Sequence, residues 1–175
     1  MARRRREPYR RNRAWGLAEY CCLRAHQLIA IPDGAGFAKR PLGKDELQQR
    51  LGHSAFIDFL NLTVLNADPE KEEVVMRAAM RPEFERGRGT GQWHGGPIAA
   101  IIDTVGDYAL IMTLGRPMPT VNFRVDYLRP AIDTALIATA RVRRSGRVVG
   151  VVDIDVTNEK GQLVAIGRAT CATAA

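Results

Sequence analysis

Residues 94–114 read HGGPIAAIIDTVGDYALIMTL, and this run decides the fold. From Ile98 to Leu114 apolar residues fall on nearly every side of a helix, the pattern of a helix buried in a core rather than laid on a surface. Gly95 and Gly96 mark the entry, and Pro97 is tolerated in a first turn, where its missing N–H costs nothing. Four β-forming runs follow: Thr120–Leu128, Thr134–Arg144, Val148–Thr157 and Leu163–Cys171. Ser145-Gly146 and Glu159-Lys160-Gly161 supply hairpin turns among them. Upstream, Leu42–Leu51 predicts a short helix ended by Gly52, Phe56–Leu65 a strand, Asn66–Pro69 a turn and Glu73–Met80 a partner strand. A Gly-rich loop, Arg86–Trp93, leads into the long helix. Two strands, one buried helix and four antiparallel strands make an α+β layout. Its simplest solution is a curved antiparallel sheet wrapped around that helix.

The 175 residues suffice for one domain with a real core. With 46% apolar and 26% charged residues, wholesale disorder is excluded. The net charge of +7 is confined to the head: residues 1–40 hold ten basic and three acidic side chains, and the remainder holds 16 of each. Residues 1–40 are therefore expected to be a basic extension, disordered or partly helical, and residues 41–175 the folded domain. Met1–Arg13 alone carries seven arginines. A nucleic-acid arm would need a module that supplies specificity, and none follows. A transit peptide would carry serine, and the first serine is Ser54. The head is expected to be a solvated extension, with neither nucleic acid nor a membrane as partner, since no uninterrupted apolar stretch approaches the roughly 20 residues of a span. Cys21, Cys22 and Cys171 form neither a disulfide framework nor a metal-ligand pair, which points to a reducing, cytoplasmic setting.

Several chemistries are missing from the sequence. There is no G-x-S-x-G elbow and no H-E-x-x-H pair, and Gly87–Gln92 lacks the third glycine of a dinucleotide fingerprint. No metal site and no cofactor are expected. What remains is the start of the long helix and two aspartates within it. The backbone N–H groups of Gly95 and Gly96, unshielded by side chains at a positive helix end, suit a developing oxyanion. Asp103 stands between Ile102 and Thr104 on an otherwise apolar helix, where an unpaired carboxylate is costly enough to require a partner, a wet cleft or a shifted pKa. Asp107 follows four residues later on the same face; it reads either as a second such group or as a solvated or interface residue. Eight residues separate Gly95 from Asp103, about 12 Å along the axis at ~1.5 Å each. One carbonyl cannot touch both within one helix, so a site that uses both requires at least a dimer, the start of one helix beside the middle of the other.

These residues resemble a known family. H-G-G at 94–96, Asp103 nine residues after His94, T-V-N-F-R-V-D-Y-L-R-P-A at 120–131, R-R-S-G-R-V-V at 143–149 and N-E-K-G-Q-L-V-A at 158–165 are together similar to the PaaI-like hotdog-fold acyl-CoA thioesterases. The likeness covers about residues 42–173. It implies a six-stranded antiparallel sheet around one helix, homodimers paired into homotetramers, and hydrolysis of an acyl or aryl thioester of coenzyme A, which is substrate rather than cofactor. It makes Asp103 the catalytic carboxylate, as nucleophile or as general base on water. Gly95 becomes the oxyanion donor, His94 the group orienting loop or thioester, and Thr120 the hydroxyl that places water. Six residues before His94 the family carries an Asn or Gln amide, and here stands Arg88, a donor that cannot accept from water. Gln92 could replace that amide, or Arg88 could bind a carboxylate or phosphate of the substrate. This departure also opens a second reading, a non-catalytic acyl-CoA-binding sensor or scaffold. Gly96 and Asp107 complete the expected substrate surroundings, the hairpin Arg143, Arg144, Ser145, Gly146 and Arg147 is a candidate phosphate contact, and Phe56, Trp93 and Ile101 are expected walls of an acyl pocket.

Overall fold

The computed structural model describes residues 40–174; the expectations for the basic head lie outside the described residues. Six strands form one antiparallel sheet: β1 (Leu62–Asp68), β2 (Glu73–Ala78), β3 (Thr120–Tyr127), β4 (Leu136–Ser145), β5 (Val149–Asn158) and β6 (Leu163–Ala172). Their spatial order is β1-β2-β4-β5-β6-β3, so β1 and β3 are the edges. A 20-residue helix, α3 (Gly95–Leu114), packs across one face. By length and composition α3 could cross a membrane, but most of it is buried inside this fold and it is the core helix. The sheet wrapped around a buried helix is the architecture that the reading of residues 94–114 requires.

β5 and the first seven residues of β4 alternate buried and half-buried positions, the period-two signature of a sheet with one face on a core, and β6 does so over Ala169–Ala172. Ala138, Ala140, Val152, Ile154, Val156 and Ala169 face Ile102, Val105 and Ala109 across a continuous apolar layer. Helix and sheet approach closely enough to require glycine in the sheet. A Cβ on Gly167 would fall 2.3 Å from the Ile102 Cγ2 atom.

The front of the domain departs from the sequence reading. Phe56–Leu65 was expected as one strand, but its first half is a helix, α2 (Ala55–Leu60), and β1 begins only at Leu62. The Ser54 hydroxyl accepts the Ile57 N–H at 3.4 Å as an N-cap. Asn61 ends the turn in the left-handed region, with φ 51°. A run rich in β-formers is thus overridden by caps at both ends. β1 continues through Asp68, whose Oδ1 accepts the N–H groups of Glu70 and Lys71, both at 3.1 Å, so the turn lies after Asp68 rather than at Asn66–Pro69. The upstream helix α1 (Lys44–Leu51) is as expected, with Leu47 and Leu51 buried.

Candidate active site

Helix α3 begins in a cleft of about 370 Å³ lined by Arg86, Gln92, Trp93, His94, Gly95, Ile98 and the segment Tyr127–Ala131. His94 is the N-cap, and its Nδ1 accepts the Gly96 N–H at 2.9 Å. A neutral imidazole with Nδ1 as acceptor carries its proton on Nε2, which leaves an N–H donor on the ring. The Tyr127 hydroxyl donates to the Gly95 carbonyl oxygen at 2.8 Å. The Gly95–Gly96 peptide is therefore held at both ends, its C=O by Tyr127 and its N–H by His94. The Gly95 N–H, first in the helix, has no intrahelical carbonyl to meet and lies at the positive end of the dipole. Of the two N–H groups read from the sequence as oxyanion donors, Gly96 is already engaged and Gly95 is the one available. The Tyr127 ring also packs on Gly95, where an added Cβ would approach it to 3.2 Å.

The loop before the helix is built around Glu85, whose carboxylate accepts the N–H groups of Gly89 and Gly91. Gly91 adopts φ 59°, and a Cβ there would collide with the Asp133 carboxylate at 1.9 Å. This construction turns Arg88 outward at the loop tip, away from the cleft, and presents Arg86 and Gln92 to it instead. The arginines beside the helix start are Arg129 and Arg86, the latter missed by the sequence reading. Trp93 does line the cleft, stacked on Phe84 with centroids 5.5 Å apart. Phe56 is exposed and Ile101 is fully in the core, so neither walls this cleft.

Asp103 lies partway along α3 and points to the sheet edge, where the Thr120 hydroxyl donates to Oδ1 at 3.0 Å. Two residues from different elements, singled out separately in the sequence, are thus joined. Asp107 is not a solvated group. It is largely buried, its Oδ1 meets no hydrogen-bond donor among the described residues, and like Asp103 it lies outside the cleft at the helix start. Burial pushes its carboxyl up to about 7, the negative charge of Asp103 adds to the effect, and the Met118 backbone N–H works against it. Cys171, paired with Thr120 across the β3–β6 ladder, completes this group; burial foremost, then the charge of Asp107, pushes its thiol up to about 11.

Within one chain the hairpin Arg143–Arg147 is remote from the cleft. Val149 pairs with Ala172 and Gly150 abuts Leu110 near the far end of α3, whereas Tyr127 pairs with Ala165 near its start. Arg143 is held by Asp153 at 2.8 Å, and Asp153 also binds Arg168, in a depression of about 380 Å³ on the outer sheet face. Arg144, Ser145 and Arg147 are exposed and Gly146 is half-buried at the turn. The Gly95 end and the Asp103–Thr120 pair are likewise separate stations along one helix.

Residues 90–165 match the family model of the thioesterase superfamily. Mouse acyl-coenzyme A thioesterase 13 is 31% identical over 112 residues, 62% of this chain and 77% of that protein. The acyl-coenzyme A thioesterase PaaI of Escherichia coli is 38% identical over 77 residues, 43% of this chain and 54% of that one. The crystal structure of zebrafish thioesterase superfamily member 2 superposes with a TM-score of 0.67 at 28% identity, covering 75% of this chain and 99% of the other.

Proposed function

This chain belongs to the thioesterase superfamily, and from that premise we propose that it hydrolyses an acyl or aryl thioester of coenzyme A to the free acid and the CoA thiol. The observation that carries the reading is the Asp103 carboxylate, set in an apolar helix and tied to Thr120. Even half-burying a carboxylate there costs stability that packing alone does not return. The names of the relatives supply the substrate class, since both the mouse and the Escherichia coli protein are acyl-coenzyme A thioesterases.

In this reading the thioester carbonyl carbon is attacked either by an Asp103 oxygen, giving an anhydride that water then opens, or by a water from which Asp103 takes a proton. The C–S bond breaks and the sulfur leaves as CoA thiolate, which takes up a proton. Negative charge gathers on the carbonyl oxygen on the way and is met by the Gly95 N–H at the end of a second helix. The Thr120 hydroxyl fixes the Asp103 oxygen that is not attacking. His94 Nε2–H supplies a further donor at the helix start, and Gln92 takes the place of the amide that Arg88 cannot provide.

The second helix comes from a second copy. Edge strand β3 turns Asn122, Arg124 and Asp126 to the outer face, so Phe123, Val125 and Tyr127 point to the helix side. Yet Phe123 is 42% and Tyr127 53% exposed, although α3 meets both ends of this strand through Thr120 and Tyr127. An apolar row on an unpaired edge is the surface a two-fold mate would cover, extending the sheet and bringing one Gly95 toward the other Asp103. Pairing of such dimers into a tetramer and a cytoplasmic setting complete the proposal.

Thiol release from a panel of aryl-, short- and medium-chain acyl-CoAs, with wild type and Asp103→Asn side by side, tests it. Release that disappears in the variant supports the reading. Binding without release from any thioester would turn it to the non-catalytic acyl-CoA binder.

A further inference from the structure

Asp107 is a buried titratable group that the chemistry above does not use. It sits one helical turn beyond Asp103 on the same face of α3. The groups that act on it are few: Asp103 from its own helix, the Met118 backbone N–H from the loop after α3, and the Cys171 thiol facing it from β6. Tyr108, its neighbour on α3, senses the Asp107 charge, and Arg50 of α1 bears on Tyr108. Among the described residues, no cation is one of the groups that act on Asp107.

Two carboxylates one turn apart in a shielded site cannot both ionise cheaply. Burial sets the two apart, against the Met118 backbone N–H, which favours the charged form of Asp107. Asp103 Oδ1 accepts from the Thr120 hydroxyl. Asp107 Oδ1 is buried with no donor to meet it, which favours the acid. The geometry is that of one anion and one acid rather than a pair of anions, and burial acts on Asp107 in the same sense.

We propose that Asp107 is a positioning residue that acts through Asp103: its buried carboxyl holds a proton and so leaves Asp103 as the single anion of the pair. This rests on the thioesterase reading for its effect on turnover but not for its charge state. When Asp107 loses its proton, a second fixed negative charge stands one helical turn from Asp103 and opposes the charge gathering on the carbonyl oxygen. Turnover then falls as pH rises through the ionisation of Asp107.

Two measurements on the full-length protein test this. The first follows kcat for a hydrolysed acyl-CoA from about pH 5.5 to about pH 9.5 in wild type and Asp107→Asn. Wild type should lose activity several-fold on the alkaline side, and the variant should lack that limb. An alkaline limb unchanged in the variant, or turnover abolished at every pH in a folded variant, would overturn the proposal. The second follows the carboxyl carbons of aspartate-labelled wild type by NMR. One carboxyl should titrate near neutrality and be missing in Asp107→Asn or, should that variant not fold, in Asp107→Ser. If every aspartate titrates in the ordinary carboxylate range, the proposal fails whatever the kinetics. If no thioester is hydrolysed but the neutral titration is present, the thioesterase reading fails while the assigned charge state stands.

Discussion

The Thr120 hydroxyl donates to Asp103 Oδ1 at 3.0 Å, so the first residue of an edge strand holds the carboxylate of the core helix. Because Thr120 donates, it fixes one of the two Asp103 oxygens. Asp103→Asn keeps the shape and removes the anion, and turnover should fall by about 10²–10⁴-fold, the range of a lost general base or nucleophile. Thr120→Val removes only the hydrogen bond to a charged group and should cost about tenfold in kcat, with Thr120→Ser close to wild type. Thioester hydrolysis assays on the three variants check the ranking. A Thr120→Val protein as impaired as Asp103→Asn would give the hydroxyl a direct part in the chemistry.

Tyr127 pins the Gly95 carbonyl from the other side of the peptide that His94 holds. Tyr127→Phe leaves the ring on Gly95 and deletes only the donor. The half-exposed setting makes the stability cost small, under about 1 kcal/mol, since water replaces the lost bond. Turnover should be more sensitive, falling about three- to tenfold, because a helix start that rocks no longer aims its N–H groups. Comparing the change in kcat with the change in unfolding midpoint separates aim from stability. Equal effects on both would mean that Tyr127 only packs.

Particular residues show why some of this was legible in the sequence. Residues 94–114 announced the core helix because no surface helix is apolar all round, and the last four strands alternate cleanly enough to be placed within about two residues. Phe56–Leu60 misled because its composition favours strand, while the caps at Ser54 and Asn61, each a single residue, decide otherwise. Asp103 was legible as a carboxylate out of place. Its bond to Thr120 was not, since 17 residues of chain lie between them and only the fold closes the gap. Arg88 drew attention by its position in a motif, but backbone geometry around Glu85 decides that Arg86 and Gln92 face the cleft. Tyr127 gave no signal of its own, because an aromatic residue at the end of a strand reads first as packing.

The exposed apolar row on β3 should be an interface, and Phe123 lies within it. Phe123→Arg places a charge on the face that a second copy would cover, and weakens association by about 2 kcal/mol or more if the site is central. Sedimentation at micromolar concentration should show a smaller species than wild type, and turnover should fall in parallel, since the proposed site takes Gly95 from one chain and Asp103 from its mate. A monomer with wild-type turnover would show that one chain suffices.

Asp107 also leaves a mark on stability. In the unfolded chain its carboxyl titrates near 3.8, and in the folded chain at about 7. Between those values the folded state holds a proton that the unfolded state has released, so this group makes stability fall as pH rises through that window and then level off. Asp107→Asn has no such proton to lose. Relative to wild type the variant should therefore gain stability from about pH 4 to about pH 7 and hold a constant advantage above, of up to about 4 kcal/mol. Glu46, Asp68 and Glu159, held low by ion pairs and backbone N–H groups on the surface, work in the opposite sense at more acid pH and are common to both proteins. They cancel in the difference. Urea unfolding of the two proteins at a series of pH values reads that difference directly, and a gap that stays constant from pH 4 to pH 8 would show that Asp107 ionises freely in the fold.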